Sequence, residues 1–366
     1  MKRTMRNRVI ACAAAGGIVL VAAGAAMAAG NYQVAGSTLV EPAFNAWCTH
    51  IGGNFCSDSG GGSGAGITDF VANTVDWADS DAPLSPANTG SLNSSQPGAG
   101  VRYFVTLIGG IAVPTHFNGE TKAIKLTGPV IADIFDGSVT KWNASQITKL
   151  NKGVKFPSST IVECVRGDSS GTSYNFTNYL ATASPSFKKK VGPASKTPNW
   201  GGTHTTFGTG NGAEASCIQG TSNAIGYVDF ANTVGVNNYL SAIGHVVGKK
   251  TYYTTPSIAT IAAAAAQAAH TKVSLTNPIT LQNALLDTKA SNAYPISLTS
   301  FLLAYKDYAK VHAARESASA QWTATKKFIN YAISPTGQKQ LKALHFATLP
   351  AGWINLDKGL EKTVKP

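Results

Sequence analysis

Three short segments combine glycine with serine or threonine at points where a strand-like run gives way to a helix-like run. They are residues 36–38, 61–64 and 168–172. Glycine lets the backbone approach a ligand closely, and the first turn of a helix leaves N–H groups without an intrahelical acceptor. Because the helix dipole adds positive charge at the same end, such a turn suits an oxyanion. The three segments together predict a binding site for a small anion.

Each segment alone has a simpler interpretation, because serine, threonine and glycine are ordinary residues at helix starts. None of the three has the lysine of a Walker loop, and none has the G-x-S-x-G spacing of a hydrolase nucleophile. The hydroxyls are therefore interpreted as hydrogen-bond donors and not as nucleophiles. Arg166, two residues before the third segment, adds a positive charge beside it.

Two aspartates stand beside these segments. Asp81 follows the second predicted helix, and Asp168 lies two residues after Arg166. A carboxylate next to an anion is unfavourable unless the anion carries a proton that the carboxylate accepts, or unless the carboxylate orients the arginine. The simpler alternative is that both aspartates only form turns.

The elements that position these segments alternate between strand-like and helix-like runs. We predict strands over 31–35, 103–114, 161–165, 225–230 and 296–305, and helices over 38–47, 64–73, 129–135, 144–150, 170–181, 259–269, 319–333 and 335–344. This alternation predicts an α/β protein with mostly parallel sheets and helices on both faces. Because there is no internal repeat or long linker, we expect two lobes that share the chain discontinuously.

The N-terminus has the pattern of an export signal. Four basic residues fall among the first eight, an apolar run follows, and Ala26-Met27-Ala28 provides a small-x-small cleavage site. The alternative is a retained membrane anchor, because the apolar run is about long enough to span a bilayer. Cleavage after Ala28 would leave 338 residues with 26 basic and 18 acidic side chains, a net charge of +8.

The bulk composition restricts the class of protein. A hydrophobic content of 43% and a charged content of 13% fit a folded chain, and 366 residues suffice for two domains. The lysines are scattered, and the longest basic run is 188–190, so we expect a solvated basic surface and no nucleic-acid partner.

Four cysteines remain after the predicted cleavage site: Cys48, Cys56, Cys164 and Cys217. An even number in an exported chain indicates disulfides, and three pairings are possible. We predict Cys48–Cys56 and Cys164–Cys217. No cysteine or histidine spacing is that of a metal site, so no metal or cofactor is expected.

The motifs, in their order along the chain, resemble the PstS family, the periplasmic phosphate-binding proteins of ABC phosphate importers. The resemblance runs from about residue 34 to 350, through segments 35–38, 62–64, 72–77, 80–84, 108–111, 133–137, 166–172, 224–228 and 294–296. It implies a type II periplasmic-binding-protein fold, with two sheet-and-helix lobes joined by hinge strands. It also implies a monomer that binds inorganic phosphate, delivers it to the membrane subunits of an ABC transporter and catalyses no reaction.

The resemblance also implies the site residues, because the family holds dehydrated phosphate between its lobes. The implied phosphate contacts are Thr38, Leu39 through its backbone, Ser63, Asp81, Arg166, Ser170, Gly171 and Thr172, with Asp168 orienting the arginine. Leu39 stands where the family often has an aromatic residue. Ser169 stands where a glycine is frequent.

The expected organisation is a signal peptide over 1–28, one lobe from 29–113 and 293–366, and a second lobe from 114–292. Two other functions remain open. The first is binding of another tetrahedral oxyanion, arsenate or sulfate, although Asp81 argues against sulfate. The second is an exported phosphomonoesterase, which would need a nucleophile with acid–base partners or a metal cluster, and the sequence shows neither.

Overall fold

The computed structural model describes residues 32–202, 204–235, 239–270, 277–286, 288–312 and 316–366. The predicted signal peptide, 1–28, lies outside the described residues. Within them, no helix is both long enough and apolar enough to cross a membrane.

Strands and helices alternate along most of the described chain. The strands are β1 (Tyr32–Gly36), β2 (Cys56–Gly61), β3 (Trp77–Ser80), β4 (Val101–Ala112), β5 (Pro114–His116), β6 (Lys125–Thr127), β7 (Val162–Arg166), β8 (His204–Phe207), β9 (Ala224–Ile225), β10 (Val228–Asp229), β11 (Tyr239–Leu240), β12 (Ala242–Val247), β13 (Lys250–Thr254) and β14 (Ser297–Tyr305). The α-helices are α1 (Glu41–Gly52), α2 (Ser63–Ala72), α3 (Pro86–Ser95), α4 (Gly128–Phe135), α5 (Ser145–Thr148), α6 (Gly171–Ala183), α7 (Pro185–Lys190), α8 (Asn211–Gly220), α9 (Ile258–Ala269), α10 (Pro278–Leu285), α11 (Ala318–Ala332), α12 (Pro335–Leu341) and α13 (Ala351–Glu361).

The strands form three sheets. The first has six strands in the order β10-β4-β14-β3-β1-β2, the second has five in the order β11-β5-β9-β7-β8, and the third has three in the order β13-β12-β6. The α/β class is confirmed, but the pairing is mixed. Parallel pairs join β1 to β2 and β3, and β7 to β8 and β9, whereas β4 and β14 pair antiparallel over nine residue pairs. Parallel pairing is thus concentrated in the strands whose carboxyl ends carry the predicted motifs.

The first sheet draws its strands from both ends of the chain, while the second and third come from the middle. The exception is β10, which lies in the middle segment yet pairs with β4 of the first sheet. The sequence predicted one strand over 225–230, and this prediction is wrong. The run divides into β9 in the second sheet and β10 in the first, on either side of Gly226 and Tyr227. The chain also passes directly from β4 to β5 through Val113, so two short crossings join the sheets.

An aromatic cluster supports each of the two larger sheets. Phe44, Trp47 and Trp77 meet Phe328 of α11 beside the first sheet, with ring centroids between 4.8 and 5.9 Å from Phe328. Removing a large apolar side chain of this kind from water contributes about 1.5–3 kcal/mol. Phe135, Phe176 and Trp200 surround Tyr227 in the same way beside the second sheet. Tyr227 connects this core to the predicted site.

Two predicted helices differ from the structure in where they begin or end, because local turns and capping residues set the ends of a helix. The first helix begins at Glu41, not Thr38, because Pro42 favours the first helical turn and Ser37–Val40 form a turn before it. The helix predicted over 144–150 is only the single turn of α5. Ser170 caps α6 by accepting a hydrogen bond from the N–H of Ser173 at 3.1 Å.

Both predicted disulfides are confirmed. Cys48–Cys56 joins α1 to β2, with Cα atoms 5.0 Å apart. Cys164–Cys217 joins β7 to α8, with Cα atoms 6.1 Å apart. Each bridge therefore fixes an element that leads into one of the predicted motifs.

Candidate functional site

The predicted site residues converge between the first and second sheets. Gly36 at the end of β1 and Ser80 at the end of β3 come from the first sheet, and Arg166 at the end of β7 comes from the second. Parallel strands place such ends on one edge, where open α/β sheets bind ligands. Ser63, Asp81 and Ser170 are each at most 1% exposed. The site is therefore almost fully enclosed by protein.

The loop between β1 and α1 is fixed by two aspartates. The Ser37 N–H donates to Asp79 Oδ1 at 2.5 Å, and the Ser37 hydroxyl donates to Asp81 Oδ2 at 2.5 Å. The Leu39 N–H, a predicted ligand donor, here donates to Ser37 Oγ at 3.1 Å. The loop therefore already carries the conformation that brings Thr38 to the site.

The second motif opens α2. Gly62 has φ +91°, a conformation that L side chains rarely adopt, and it lets the chain turn into the helix. Ser63 Oγ accepts the Asp81 N–H at 3.1 Å, so the Ser63 hydroxyl can still act as a donor, and the Asp81 carboxylate is one nearby acceptor. The Gly64 N–H donates to the Ser169 carbonyl at 2.8 Å, which links this motif to the third one.

The third motif faces the second at close range. A Cβ atom built on Gly171 would overlap Ser63 Oγ and would lie 2.8 Å from Asp81 Cβ. Only glycine fits there, because any side chain would push the two loops apart. The N–H groups of Gly171 and Thr172 belong to the first turn of α6 and have no intrahelical acceptor by position. This turn lies beside Ser63 and Asp81, as the space around Gly171 shows.

Arg166 is held in one orientation by Asp168. Its Nε and Nη2 donate to Asp168 Oδ1 and Oδ2 at 2.6 and 2.5 Å, and the arginine is 5% exposed. A bidentate pair of this kind fixes the guanidinium plane. The third nitrogen, Nη1, is buried and has no hydrogen-bond partner within the described residues. The expected orienting role of Asp168 agrees with this geometry.

A tyrosine hydroxyl also fixes the strand end that carries the arginine. The Arg166 N–H donates to Tyr227 Oη at 3.1 Å, and that oxygen is also 2.7 Å from Ser173 Oγ of α6. Since Tyr227 stacks on Phe176 in the core, the position of Arg166 depends on the packing of the second sheet.

Asp81 is the predicted acceptor of a ligand proton, and its surroundings suit that role. Burial raises the pKa of Asp81 to about 6, although the hydroxyls of Ser37, Ser300 and Ser63 and the charge of Arg166 favour its ionised form. Its Oδ1 atom is buried and lacks a partner in the described part of the chain. Its carbonyl oxygen accepts the Asn175 Nδ2–H at 2.7 Å and a second bond from Gln282 Nε2. The backbone is thus held while one carboxylate oxygen stays unbonded.

Sequence reasoning missed three acids and an amide that complete the site. Burial, followed by the nearby charges of Asp58 and Asp81, raises the pKa of Asp79 well above its ordinary value. Burial raises the pKa of Asp58 to about 7 and that of Glu214 to about 8. The alternation of Asp79 with Asp81 places both on one side of the strand end, and this spacing could have identified Asp79.

Asn211, the missed amide, connects the two sides of the site. Its backbone N–H and its Nδ2 both donate to Thr38 Oγ1, at 3.1 and 3.2 Å. Its Oδ1 accepts the Asp229 N–H at 3.2 Å and the Thr172 hydroxyl at 3.4 Å. Because Thr38 Oγ1 accepts two N–H groups, its own hydrogen must point elsewhere, as a donor. The Gly210-Asn211-Gly212 sequence before a helix was the available signal.

The arrangement can hold a small oxyanion but offers no obvious reaction. Hydroxyl, N–H and guanidinium donors converge on one point, and the buried Oδ1 atom of Asp81 is one of several carboxylate oxygens there without a hydrogen-bond partner in the described residues. Among the described residues, no group of three or more histidine, cysteine, aspartate or glutamate side chains could hold a metal ion. Within that part of the chain the candidate site thus combines hydrogen-bond donors with buried carboxylates that can accept a proton.

The chain is similar in sequence to proteins of known family. The sequence matches the PBP superfamily domain over residues 21–336. It is 33% identical over 331 residues to "Phosphate-binding protein PstS" of Xylella fastidiosa (strain Temecula1), covering 89% of this chain and 83% of that protein. It is 30% identical over 335 residues to the PstS protein of Haemophilus influenzae, covering 90% and 92%.

The fold is also that of solved phosphate-binding proteins. A high-affinity periplasmic phosphate-binding protein, solved with phosphate at pH 8.5, superposes with a TM-score of 0.68 at 18% identity, covering 90% of this chain and 93% of that one. At this identity the likeness concerns the fold, whereas the sequence identities above concern the family. The chain therefore belongs to the PstS family of phosphate-binding proteins, within the PBP superfamily.

Proposed function

We propose that this protein captures one inorganic phosphate ion between its first and second sheets and releases it to an ABC importer. The observation that carries the proposal is a pair of buried atoms without partners, Arg166 Nη1 and Asp81 Oδ1. A buried donor and a buried acceptor left unbonded are each costly. A protonated phosphate satisfies both, because its oxygen accepts from the arginine and its O–H donates to the aspartate.

The remaining donors surround the same ion. Thr38 and Ser63 contribute hydroxyls from the first sheet's side, and Ser170, Gly171 and Thr172 contribute the capped first turn of α6. The Leu39 N–H joins them once it exchanges its present acceptor, Ser37 Oγ, for the ligand. One arginine among neutral donors binds an anion tightly and still reversibly, with bidentate geometry that a group of lysines would lack.

We propose that the two sheets belong to lobes that close on the ligand. One lobe comprises 29–113 and 293–366, and the other comprises 114–292. Support comes from the sheet composition and from the two crossings, β4 to β5 and β9 to β10. The hydrogen bonds from Asn211 to Thr38 and from Gly64 to Ser169 would hold the closed form.

The protein's place in the cell follows from the same proposal. The family consists of binding proteins and not enzymes, so the chain delivers its ligand without catalysis. We propose export by the 1–28 signal, action as a monomer outside the cytoplasm, and docking on the membrane subunits of an ABC transporter. Two disulfides are consistent with an oxidising compartment.

The alternative functions are less well supported. Arsenate carries the same proton as phosphate, so it remains the closest competing ligand, whereas sulfate has no proton for Asp81. A phosphomonoesterase would need an activated nucleophile, and the described hydroxyls at the site are engaged as caps and donors. Release of phosphate from a generic phosphate ester would identify such an enzyme directly.

Calorimetric titration of the mature protein, stripped of ligand by unfolding and refolding, tests the proposal. We expect one phosphate per chain with a dissociation constant near ~1 µM or tighter, about −8 kcal/mol. Arg166→Ala should bind at least ~100-fold more weakly, because it removes a buried charge-assisted contact and leaves Asp168 unpaired. Arg102→Ala, at the start of β4 away from the site, is the matched control and should bind normally. Absence of phosphate binding at 1 mM would refute the proposal.

A further inference from the structure

One buried carboxyl beside the site has no role in the account above. Glu214 lies in the first turn of α8, and it is fully buried. Neither of its carboxylate oxygens has a hydrogen bond of normal geometry within the residues described, although the nearby Tyr227 backbone N–H lowers the pKa of the side chain and so favours its ionised form. The same helix begins with Asn211, which bonds Thr38, and it carries Cys217, which is bridged to Cys164 of β7. Glu214 is thereby held on the face of β7 that also carries Arg166.

The charges around Glu214 come from several elements. Arg166 and Asp168 belong to β7 and the loop that follows it, and Asp229 belongs to β10, which packs on α8. His116 lies on β5, which also packs on α8, and the Tyr227 hydroxyl lies between Arg166 and Ser173. Burial raises the pKa of Asp229 well above its ordinary value, so this group adds little charge near neutral pH. Arg166 is thus the main positive charge that Glu214 faces.

That positive charge is already shared. Asp168 forms two hydrogen bonds with Arg166, at 2.6 and 2.5 Å, so the pair is close to neutral as a unit. A phosphate dianion brought to Nη1 must share the same guanidinium. An ionised Glu214 would then be a further like charge in a site with little solvent, where such repulsion is strong.

We propose that Glu214 must carry a proton when an anion binds at Arg166, so that anion binding above neutral pH takes up a proton at this side chain. The inference rests on the proposed function and deepens it. It makes α8 a fourth contributor to the site, alongside the three motifs that precede α1, α2 and α6.

The direction in which phosphate affinity changes with pH follows from the coupling between anion binding and protonation of Glu214. Burial raises the pKa of Glu214 to about 8, against the opposing effect of Arg166, and a bound anion raises it further. Below pH 8 the side chain is protonated in both states, so affinity does not depend on it. Above pH 8 the free protein must take up a proton to bind, so affinity falls as pH rises, by up to about tenfold per pH unit. Phosphate itself is mainly dianionic in this range, since phosphate groups have a second pKa of roughly 6 to 7.

The chain offers a matched control in Glu163. Burial raises its pKa to about 8 as well, and it lies on the same strand, β7. Successive strand residues alternate in direction, so Glu163 lies on the opposite face from Cys164 and Arg166. Its carboxyl lies instead against Gly202. A titration at Glu163 should therefore leave the anion site unaffected.

The experiment compares wild type, Glu214→Gln and Glu163→Gln by phosphate calorimetry between pH 8 and 9.5, each in two buffers of different ionisation enthalpy. We expect wild type and Glu163→Gln to lose on the order of tenfold affinity across this range and to take up protons on binding. Glu214→Gln should bind with constant affinity and no proton uptake.

Two results overturn the inference. One is that phosphate affinity falls with rising pH in Glu214→Gln just as it does in wild type. The other, which needs no variant to fold, is wild-type binding without proton uptake at pH 8.5. If wild type binds no phosphate at any pH, the proposed function itself fails, so the two failures are distinguishable.

Discussion

We propose that Asp81 decides which tetrahedral anion stays bound, because the surrounding donors would otherwise hold several. Sulfate and phosphate have nearly the same size and shape, and they differ in that only phosphate keeps a proton near neutral pH. With Oδ2 engaged by Ser37 and Oδ1 unbonded, the carboxylate can accept one hydrogen bond from a ligand. Against sulfate it would meet only lone pairs, and the two like charges would repel in a buried site.

We predict that Asp81→Asn admits sulfate far more than it weakens phosphate, because asparagine can donate where aspartate can only accept. The selectivity lost could reach ~10⁴, as for other sites that leave buried polar groups mismatched. The measurement is competition of sulfate against labelled phosphate, with Asp69→Asn of α2 as the control that keeps wild-type selectivity. Since the pKa of Asp81 is about 6, acidifying wild type below that value should relax selectivity in the same direction. If the selectivity for phosphate over sulfate is the same in Asp81→Asn as in wild type, another group must accept the hydrogen bond from the ligand's proton.

The site residues were predictable to the extent that each belongs to a motif. The glycine–hydroxyl segments and the Arg166–Asp168 pair could be located from chain order, and the structure brings them together. Asn211 and Glu214 were not predicted, because they lie at the start of α8, where the sequence offers only the weak signal of Gly210-Asn211-Gly212. Their importance arises from packing against β7 and β10, which one sequence does not reveal.

At the scale of elements, the two disulfides act on the strands and helices that present the motifs. Cys48–Cys56 ties α1 to β2, so it couples the helix after the first motif to the strand before the second. Cys164–Cys217 ties β7 to α8, so it couples Arg166 to Asn211 and Glu214. Each bridge lies within the site's own scaffold.

We predict that the two bridges contribute unequally to stability. They close loops with sequence separations of 8 and 53 residues. In the chain-entropy model this corresponds to about 2.5 and about 4 kcal/mol. The Cys164→Ala/Cys217→Ala protein should therefore unfold at lower denaturant than Cys48→Ala/Cys56→Ala, and it should also bind phosphate more weakly because β7 and α8 are no longer tied. Denaturant titration and calorimetry of both double variants provide the check, and equal unfolding midpoints would contradict the loop-length argument.

The secondary structure could be predicted where the hydrophobic pattern is strong and not where the pattern is absent. The apolar run of β4 and the amphipathic α11 were predicted to within a few residues. The polar helix α3 buries only Leu92, so its sequence has no hydrophobic periodicity, and the Ser85-Pro86 start was its only helix signal. The hairpin of β12 and β13 turns at Gly248, which has a φ of +63°. The segment around it has no clear hydrophobic pattern, so this turn could not be located from the sequence. The division of 225–230 between two sheets depends on tertiary pairing with β4 and β5.

Considered as a whole molecule, the chain distributes its charge unevenly. Segment 114–292 carries 15 lysines and arginines against 8 aspartates and glutamates, whereas the rest of the chain after residue 28 carries 11 against 10. Four lysines, 122, 125, 149 and 152, surround a cavity of about 450 Å³ on this segment. A positive field of this kind would raise the local concentration of small anions near segment 114–292. Because it selects only by charge, it cannot distinguish phosphate from sulfate.

We propose that a single phosphate bonds Arg166 Nη1 and Asp81 Oδ1 between the two sheets. A high-resolution crystal structure of the mature protein grown with phosphate can show these two bonds. We expect one phosphate with an oxygen within hydrogen-bond distance of each of these two atoms, roughly 2.5–3.0 Å, and further bonds from Ser63 and the first turn of α6. Phosphate found only at the lysine-rimmed cavity of segment 114–292, with Arg166 Nη1 and Asp81 Oδ1 still unbonded, would contradict it.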